Sequence, residues 1–194
     1  MDSIDATIEE YKSLRNESLD AIKSQQTTLS IGIGTVGVVV AAGVNIWDKS
    51  YLPSLIFLVF NPILCYWILL IWLGEVHRMM RAGAFLSLIE SKINLKFKVE
   101  DALSWESWLR KINQDVKRPR MFFNYIAVIG IFYFTAVAPI IVGNIKLISD
   151  IPKEYLSVIY YVNSVELIIF SIFSIYTLFL CLRIKKLGEL RYQL

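Results

Sequence analysis

The chain has 194 residues, of which 56% are hydrophobic and 19% charged, with a formal net charge of +3. An ordinary soluble domain carries about 25% charged residues. Here acidic and basic residues gather in three blocks separated by long uncharged stretches, a pattern that points away from a soluble domain and towards spans and loops. The basic start, short apolar core and cleavage site of a secretory signal are missing ahead of the first apolar stretch, so the N-terminus is expected to remain in the mature protein.

Residues 3 to 26 read as a helix. Ile4, Ile8, Tyr11, Leu14, Leu19 and Ile22 form an approximate apolar stripe, and the pairs Glu9 to Lys12 and Asp20 to Lys23 support it. Six acidic residues against three basic ones up to Gln26 would be repelled by an anionic leaflet, so this is a packing helix that runs straight into the first span. Four stretches, at about 27 to 47, 53 to 73, 121 to 146 and 155 to 182, meet the need for roughly 20 apolar residues across the hydrocarbon core. The short connection Asp48 to Leu52 makes the first two spans an antiparallel hairpin, with Pro53 suited to a first helical turn.

After span two the helical pattern continues through Gly74 to Ser91, with Val76, Met79, Met80, Phe85, Leu88 and Ile89 apolar and Glu75, Arg78, Arg81 and Glu90 polar. Ile93, Leu95, Phe97 and Val99 then alternate with polar residues, which predicts a short strand near 93–99 in need of a partner. Trp105, Trp108, Leu109 and Ile112 recur at helical spacing beside Arg110, Lys111, Lys117, Arg118 and Arg120, as suits an interfacial helix before span three. The fold class is therefore an all-α membrane protein with four transmembrane helices. Its parts are a cytoplasmic N-terminal helix (1–26), a transmembrane hairpin (27–74), a cytoplasmic loop (75–120), a second hairpin (121–182) and a basic tail (183–194).

Orientation follows from Lys and Arg. Seventeen lie before span one, between spans two and three, or after span four, and three lie in the short turns (Lys49, Lys146, Lys153). Cytoplasmic segments hold the excess, which places both termini and the central loop in the cytoplasm and predicts a multi-pass protein of a bacterial inner membrane.

Glu166 is the most informative residue, because it falls near mid-membrane, where an ionised side chain costs several kcal/mol. Asn163, Glu166, Phe170, Ser174, Thr177 and Cys181 share one helical face that should point away from lipid. No other span carries a deep Lys or Arg, so the carboxyl has no salt-bridge partner. The preferred reading is hydrogen bonding between helices, with Asn61, Thr135 or Thr35 as partners. The alternative is a pore, proton or ion element.

In span one, Gly32, Gly34 and Gly37 spell a dinucleotide-turn pattern, but they lie inside an apolar span without the strand that such a turn needs. Ser30, Gly34, Gly37 and Ala41 instead form a small-residue seam that lets another helix approach, within or between subunits. Asn61 with Pro62, and Pro139, should bend their helices.

Catalytic chemistry is poorly represented. His77 is the only histidine, Cys65 and Cys181 are buried hydrophobes, and no nucleophile turn or phosphate loop is present. No catalytic, cofactor or metal residue is expected. The central loop's surplus of positive charge follows from topology, so nucleic acid is not indicated.

Three fragments together have a familiar cast: Tyr11, Lys12, Leu14, Arg15 and Glu17; Arg78, Arg81, Gly83, Phe85, Ile89 and Glu90; and Trp105, Glu106, Trp108 and Leu109. The chain resembles small stand-alone bacterial membrane proteins of mostly unassigned function. Its build is also similar to membrane subunits of phage-defence systems, such as the Kiwa membrane component or the membrane accessories of RNA-targeting CRISPR loci. The resemblance implies a homo-oligomer that works with a cytosolic partner or alters the membrane during infection. It assigns no functional residue. The expectation is a non-enzymatic membrane component that self-associates in the bilayer and recruits a cytosolic protein, the alternative being a channel or permeabilising effector built on the polar face of span four.

Overall fold

The structure, a computed structural model, describes residues 3–48, 52–98, 103–105, 120–150 and 156–189. Its elements are α1 (Ser3–Asn45), α2 (Leu52–Leu55), a π-helical turn (Ile56–Phe60), α3 (Asn61–Phe97), α4 (Arg120–Asp150) and α5 (Leu156–Glu189). Four stretches, Asp5–Asn45, Ile56–Phe97, Asn124–Ser149 and Ile159–Lys186, are long and apolar enough to cross a membrane. The protein is thus all-α, with the build of a multi-pass membrane protein and no strand among the described residues. Most of the expected interfacial helix, including Trp108, Leu109 and Ile112, lies outside the described residues, as do Lys49, Lys153 and the end of the basic tail.

The strand expected at 93–99 is a correction. Residues up to Phe97 continue α3, because Ile93 follows Leu86 and Ile89 by two turns and one, and the three pack with Tyr11 in one cluster. Leu95 is 79% exposed, so the alternation does not divide a buried face from an open one. A helix satisfies its backbone locally, whereas a lone strand would leave its N–H and C=O groups unpaired. The helix stops at Lys98, whose φ of 50° is left-handed; that conformation ends many helices, usually with Gly or Asn in place.

The chain forms two compact units. The first comprises Met1–Gln26, Gly74–Asn124 and Leu180–Leu194. Its core is Tyr11, Leu86, Ile89 and Ile93, with Leu14 and Leu103 against them. On α1, Tyr11 and Ala21 are buried and Leu14, Ser18 and Gln25 are among the partly buried positions, and these five are spaced three and four apart in turn. That repeat drifts about 20° per heptad relative to an ideal straight helix. Leu19 and Ile22, expected on the same stripe, are therefore carried outward and are exposed. Glu90 is fully buried and accepts a hydrogen bond from the Tyr11 hydroxyl at 3.1 Å. Asn94 clasps the backbone of Leu103, donating to its carbonyl at 2.8 Å and accepting from its N–H at 3.0 Å.

The second unit comprises Thr27–Leu73 and Tyr125–Phe179. Half of the most apolar stretch of the second spanning helix is enclosed, against 17% for the first and third and 6% for the fourth, so it is the innermost element. Phe57, Leu58, Cys65, Tyr66, Leu69 and Leu73 are buried along it. In contrast, Ile31, Val38, Phe134, Ile145, Leu167 and Ile175 are largely exposed. An apolar surface of that extent fits contact with lipid rather than water.

Two prolines shape this unit. Pro62 has no N–H and would clash with the carbonyl four residues earlier in a regular helix. The π-helical turn Ile56–Phe60 immediately precedes Asn61 and absorbs that misfit. Pro139, inside α4, removes the N–H that would otherwise meet the Thr135 carbonyl. The fully buried Asn61 side chain donates to that carbonyl at 2.8 Å. The two sequence irregularities thus answer each other: one helix loses a donor and the facing helix supplies one. Close approach is set by Gly32 and Gly43 of α1, where an added methyl would collide with the side chains of Ile68 and Phe57. Trp47, at the end of the first span, rests on Phe57 with ring centroids 5.7 Å apart and receives the Lys146 ammonium over its face at 4.8 Å.

Candidate functional site

The polar face of α5 turns inward, as its neighbours show. Leu167, Ile168, Ile172 and Ile175 are exposed, whereas Thr177 is buried and Asn163, Glu166, Ser174 and Cys181 are partly buried. Two members of the face are matched to α4. Asn163 and Asn144 exchange side-chain hydrogen bonds of 2.9 and 3.0 Å, and the Tyr133 hydroxyl donates to Ser174 at 3.1 Å. Such reciprocal bonds hold helices together in an apolar medium for about 0.6 kcal/mol each.

Glu166 is treated differently. Both its carboxyl oxygens are enclosed by protein, and neither meets a hydrogen-bond partner among the described residues. The partners expected from sequence are engaged elsewhere. Asn61 bonds the Thr135 carbonyl, the Thr135 hydroxyl bonds the carbonyl of Ile131 at 2.8 Å, and the Thr35 hydroxyl bonds that of Ile31 at 2.8 Å. Glu166 instead lines a cavity of about 180 Å³ with Val59, Pro62, Ile63 and Tyr66 of the π turn and α3, Ile140 of α4, and Val162, Val165 and Ile169 of α5. The surface that these residues and Tyr161 present to the cavity is almost entirely apolar, and the enclosed oxygens of Glu166 and Tyr66 contribute next to none of it.

Tyr66 is 2% exposed, and its hydroxyl also lacks a hydrogen-bond partner among the described residues. Its ring is fixed by Phe173, stacked at 5.0 Å between centroids, and by Tyr133 and Phe170 at 6.0 and 6.1 Å. Aromatic packing therefore decides where the hydroxyl stands, and hydrogen bonding does not. Sequence reasoning did not single out Tyr66. The available signal was a tyrosine deep in an otherwise apolar span, where a hydroxyl ordinarily finds a partner.

The seam on α1 has a different environment. Ser30, Gly34, Gly37 and Ala41 are all exposed, and a methyl added at Gly34 or Gly37 would meet nothing within 4 Å. Contact within the chain uses the opposite glycines, Gly32 and Gly43. Among the described residues no group of three His, Cys, Asp or Glu side chains gathers to hold a metal ion. Compared with known proteins, the chain matches no family model, no curated protein and no solved structure.

Proposed function

We propose that this protein is a non-enzymatic, homo-oligomeric membrane component of a bacterial antiphage-defence system. In this reading both termini and the 75–120 segment face the cytoplasm of an inner-membrane protein and receive a cytosolic partner. The observation that carries self-association is the open seam on α1. Small residues three and four apart on one face let backbones approach closely in lipid, and here a Cβ at Gly34 or Gly37 meets nothing within 4 Å among the described residues. The direction in the membrane rests on the distribution of Lys and Arg, and the defence setting on the likeness in build described above.

Particle mass after mild extraction tests the reading. A multiple of the 22.3 kDa chain is expected, and Gly34→Leu with Gly37→Leu should reduce it, since a Cβ at either position meets nothing within 4 Å among the described residues. A strictly monomeric wild-type particle would refute self-association.

A second reading, a permeability element on α5, is favoured by the unmatched carboxyl of Glu166. Ion flux through reconstituted liposomes should then change in Glu166→Gln, Asn163→Ala and Ser174→Ala. Flux that is unchanged in all three removes these residues from a conducting path.

A further inference from the structure

We propose that the first unit binds the headgroup of an anionic phospholipid where α3 and α5 leave their apolar spans, with the phosphate held by Arg81 and Arg183 beside an opening at Gly74. The apolar stretches of the second and fourth spans end at Leu73 and Leu182. His77 stands four residues past the first of these ends, about 6 Å along the helix, and Arg183 stands directly past the second. A headgroup layer is roughly 5–8 Å deep on each side of the hydrocarbon core. These side chains therefore start at the level of lipid phosphates.

Geometry makes this more than scattered charge. Gly74, His77, Arg78 and Arg81 recur three and four residues apart on α3 and so share one face. Gly74 is exposed, and a methyl added there would meet nothing within 4 Å among the described residues. Helical side chains lean towards the N-terminus of their helix, so His77 and Arg78 lean back towards that opening. Arg183 of α5 joins the same group, since its charge and that of Arg81 both reach the His77 imidazole.

The acidic side chains nearby leave a place for a further anion. Glu75 holds Arg78 at 3.1 Å, so Arg78 frames the opening, whereas Glu17 stands 4.0 Å from the exposed Arg81. That separation is too long for a hydrogen bond, and a phosphate can engage Arg81 without breaking one. A guanidinium brings five N–H donors in a fork that fits phosphate oxygens. Exposed Leu182 adjoins Arg183 on the apolar side and gives an acyl chain somewhere to lie. A choline lipid would bring its own ammonium up to these cations, and free phosphate would lack the chain.

This inference does not depend on the oligomeric reading, and its test works on a monomer or an oligomer. The full chain in an uncharged detergent is titrated with phosphatidylglycerol, with phosphatidylcholine and inorganic phosphate as controls, and ligand-dependent thermal stability gives the apparent Kd. Phosphatidylglycerol should raise Tm saturably and bind at least about tenfold more tightly than either control. Arg81→Gln and Arg183→Gln should each weaken it about fivefold. Gly74→Leu should also weaken it, while the Tm of the lipid-free protein stays at the wild-type value. Lys96→Gln with Lys98→Gln removes two cations at the far end of α3 and should leave the affinity unchanged. Equal stabilisation of the wild type by phosphatidylcholine or by inorganic phosphate would overturn the proposal without reference to any variant. So would undiminished binding in Arg81→Gln and Arg183→Gln, or an equal loss in the Lys96 and Lys98 variant, since diffuse charge would then suffice.

Discussion

Each unit of the molecule encloses a glutamate near a tyrosine, and the two pairs are treated in opposite ways. In the first unit Glu90 is fully buried and takes the hydroxyl of Tyr11 at 3.1 Å, within a cluster of Leu86, Ile89 and Ile93. In the second, Glu166 and Tyr66 are both among the residues around one cavity, yet none of their enclosed side-chain oxygens meets a hydrogen-bond partner among the described residues. A buried polar group that is matched adds to the stability of its surroundings, whereas an unmatched one carries a desolvation cost of about 1–3 kcal/mol. Glu90 therefore reads as part of the framework and Glu166 as a carboxyl that the framework does not use.

Substitution should separate the two. The largest effect is expected from Glu90→Ala, which strips the Tyr11 hydroxyl of its acceptor and opens a void in the core; a loss of about 3 kcal/mol should appear in denaturation of the purified protein. Tyr11→Phe should cost nearer 1 kcal/mol. If Glu90→Ala were as stable as wild type, the distinction between the two carboxylates would fall.

Next in size is Asn61→Ala, which leaves the Thr135 carbonyl without a donor at a cost of about 2 kcal/mol. Pro139→Ala restores the backbone N–H to that carbonyl. The double variant should accordingly lose less than the sum of the single ones, with a coupling of at least about 0.5 kcal/mol in a double-mutant cycle. Strict additivity would show that Asn61 is not compensating for Pro139.

Glycines of α1 extend the contrast between inward and outward faces. Gly32→Leu should destabilise the folded chain by about 1–3 kcal/mol through overpacking against Ile68. Gly34→Leu should leave unfolding within about 0.5 kcal/mol of wild type, so that any loss of particle mass reports association alone. Equal destabilisation by both would mean that the seam is already filled.

Smallest of all is the expected effect of Glu166→Leu. Replacing an unmatched carboxyl with an apolar group should be neutral or stabilising by about 1 kcal/mol, opposite in sign to Glu90→Ala. A loss above about 2 kcal/mol in the same denaturation assay would reveal a structural partner for Glu166 and return it to the framework.

Much of this arrangement was legible along the chain. The spacing of Asn163, Glu166, Ser174 and Thr177 put them on one face, and that face does turn inward. Asn61 and Pro139 were both recognisable as irregular, but not as complements, because they stand far apart in sequence on facing helices. The burial of Glu90 was not legible for a similar reason. Within its own helix it looks like one more polar residue beside Arg78 and Arg81, and its burial depends on Tyr11, 79 positions away. The alternation from Ile93 to Phe97 imitated a strand because two of its apolar residues face outward.

By itself, then, the sequence determined that this is an all-helical chain with four segments apolar enough to cross a membrane. Hydropathy summed over some twenty neighbouring residues is a local quantity, and lipid enforces helix wherever it is high enough. Tertiary structure alone decided which polar groups are answered. Whether Asn144 meets Asn163, Asn61 meets a carbonyl freed by a distant proline, or the Glu166 carboxyl and Tyr66 hydroxyl find no hydrogen-bond partner among the described residues depends on where facing helices stand to within about an ångström. Hydrogen bonds weaken over that distance, and no window along one helix contains it.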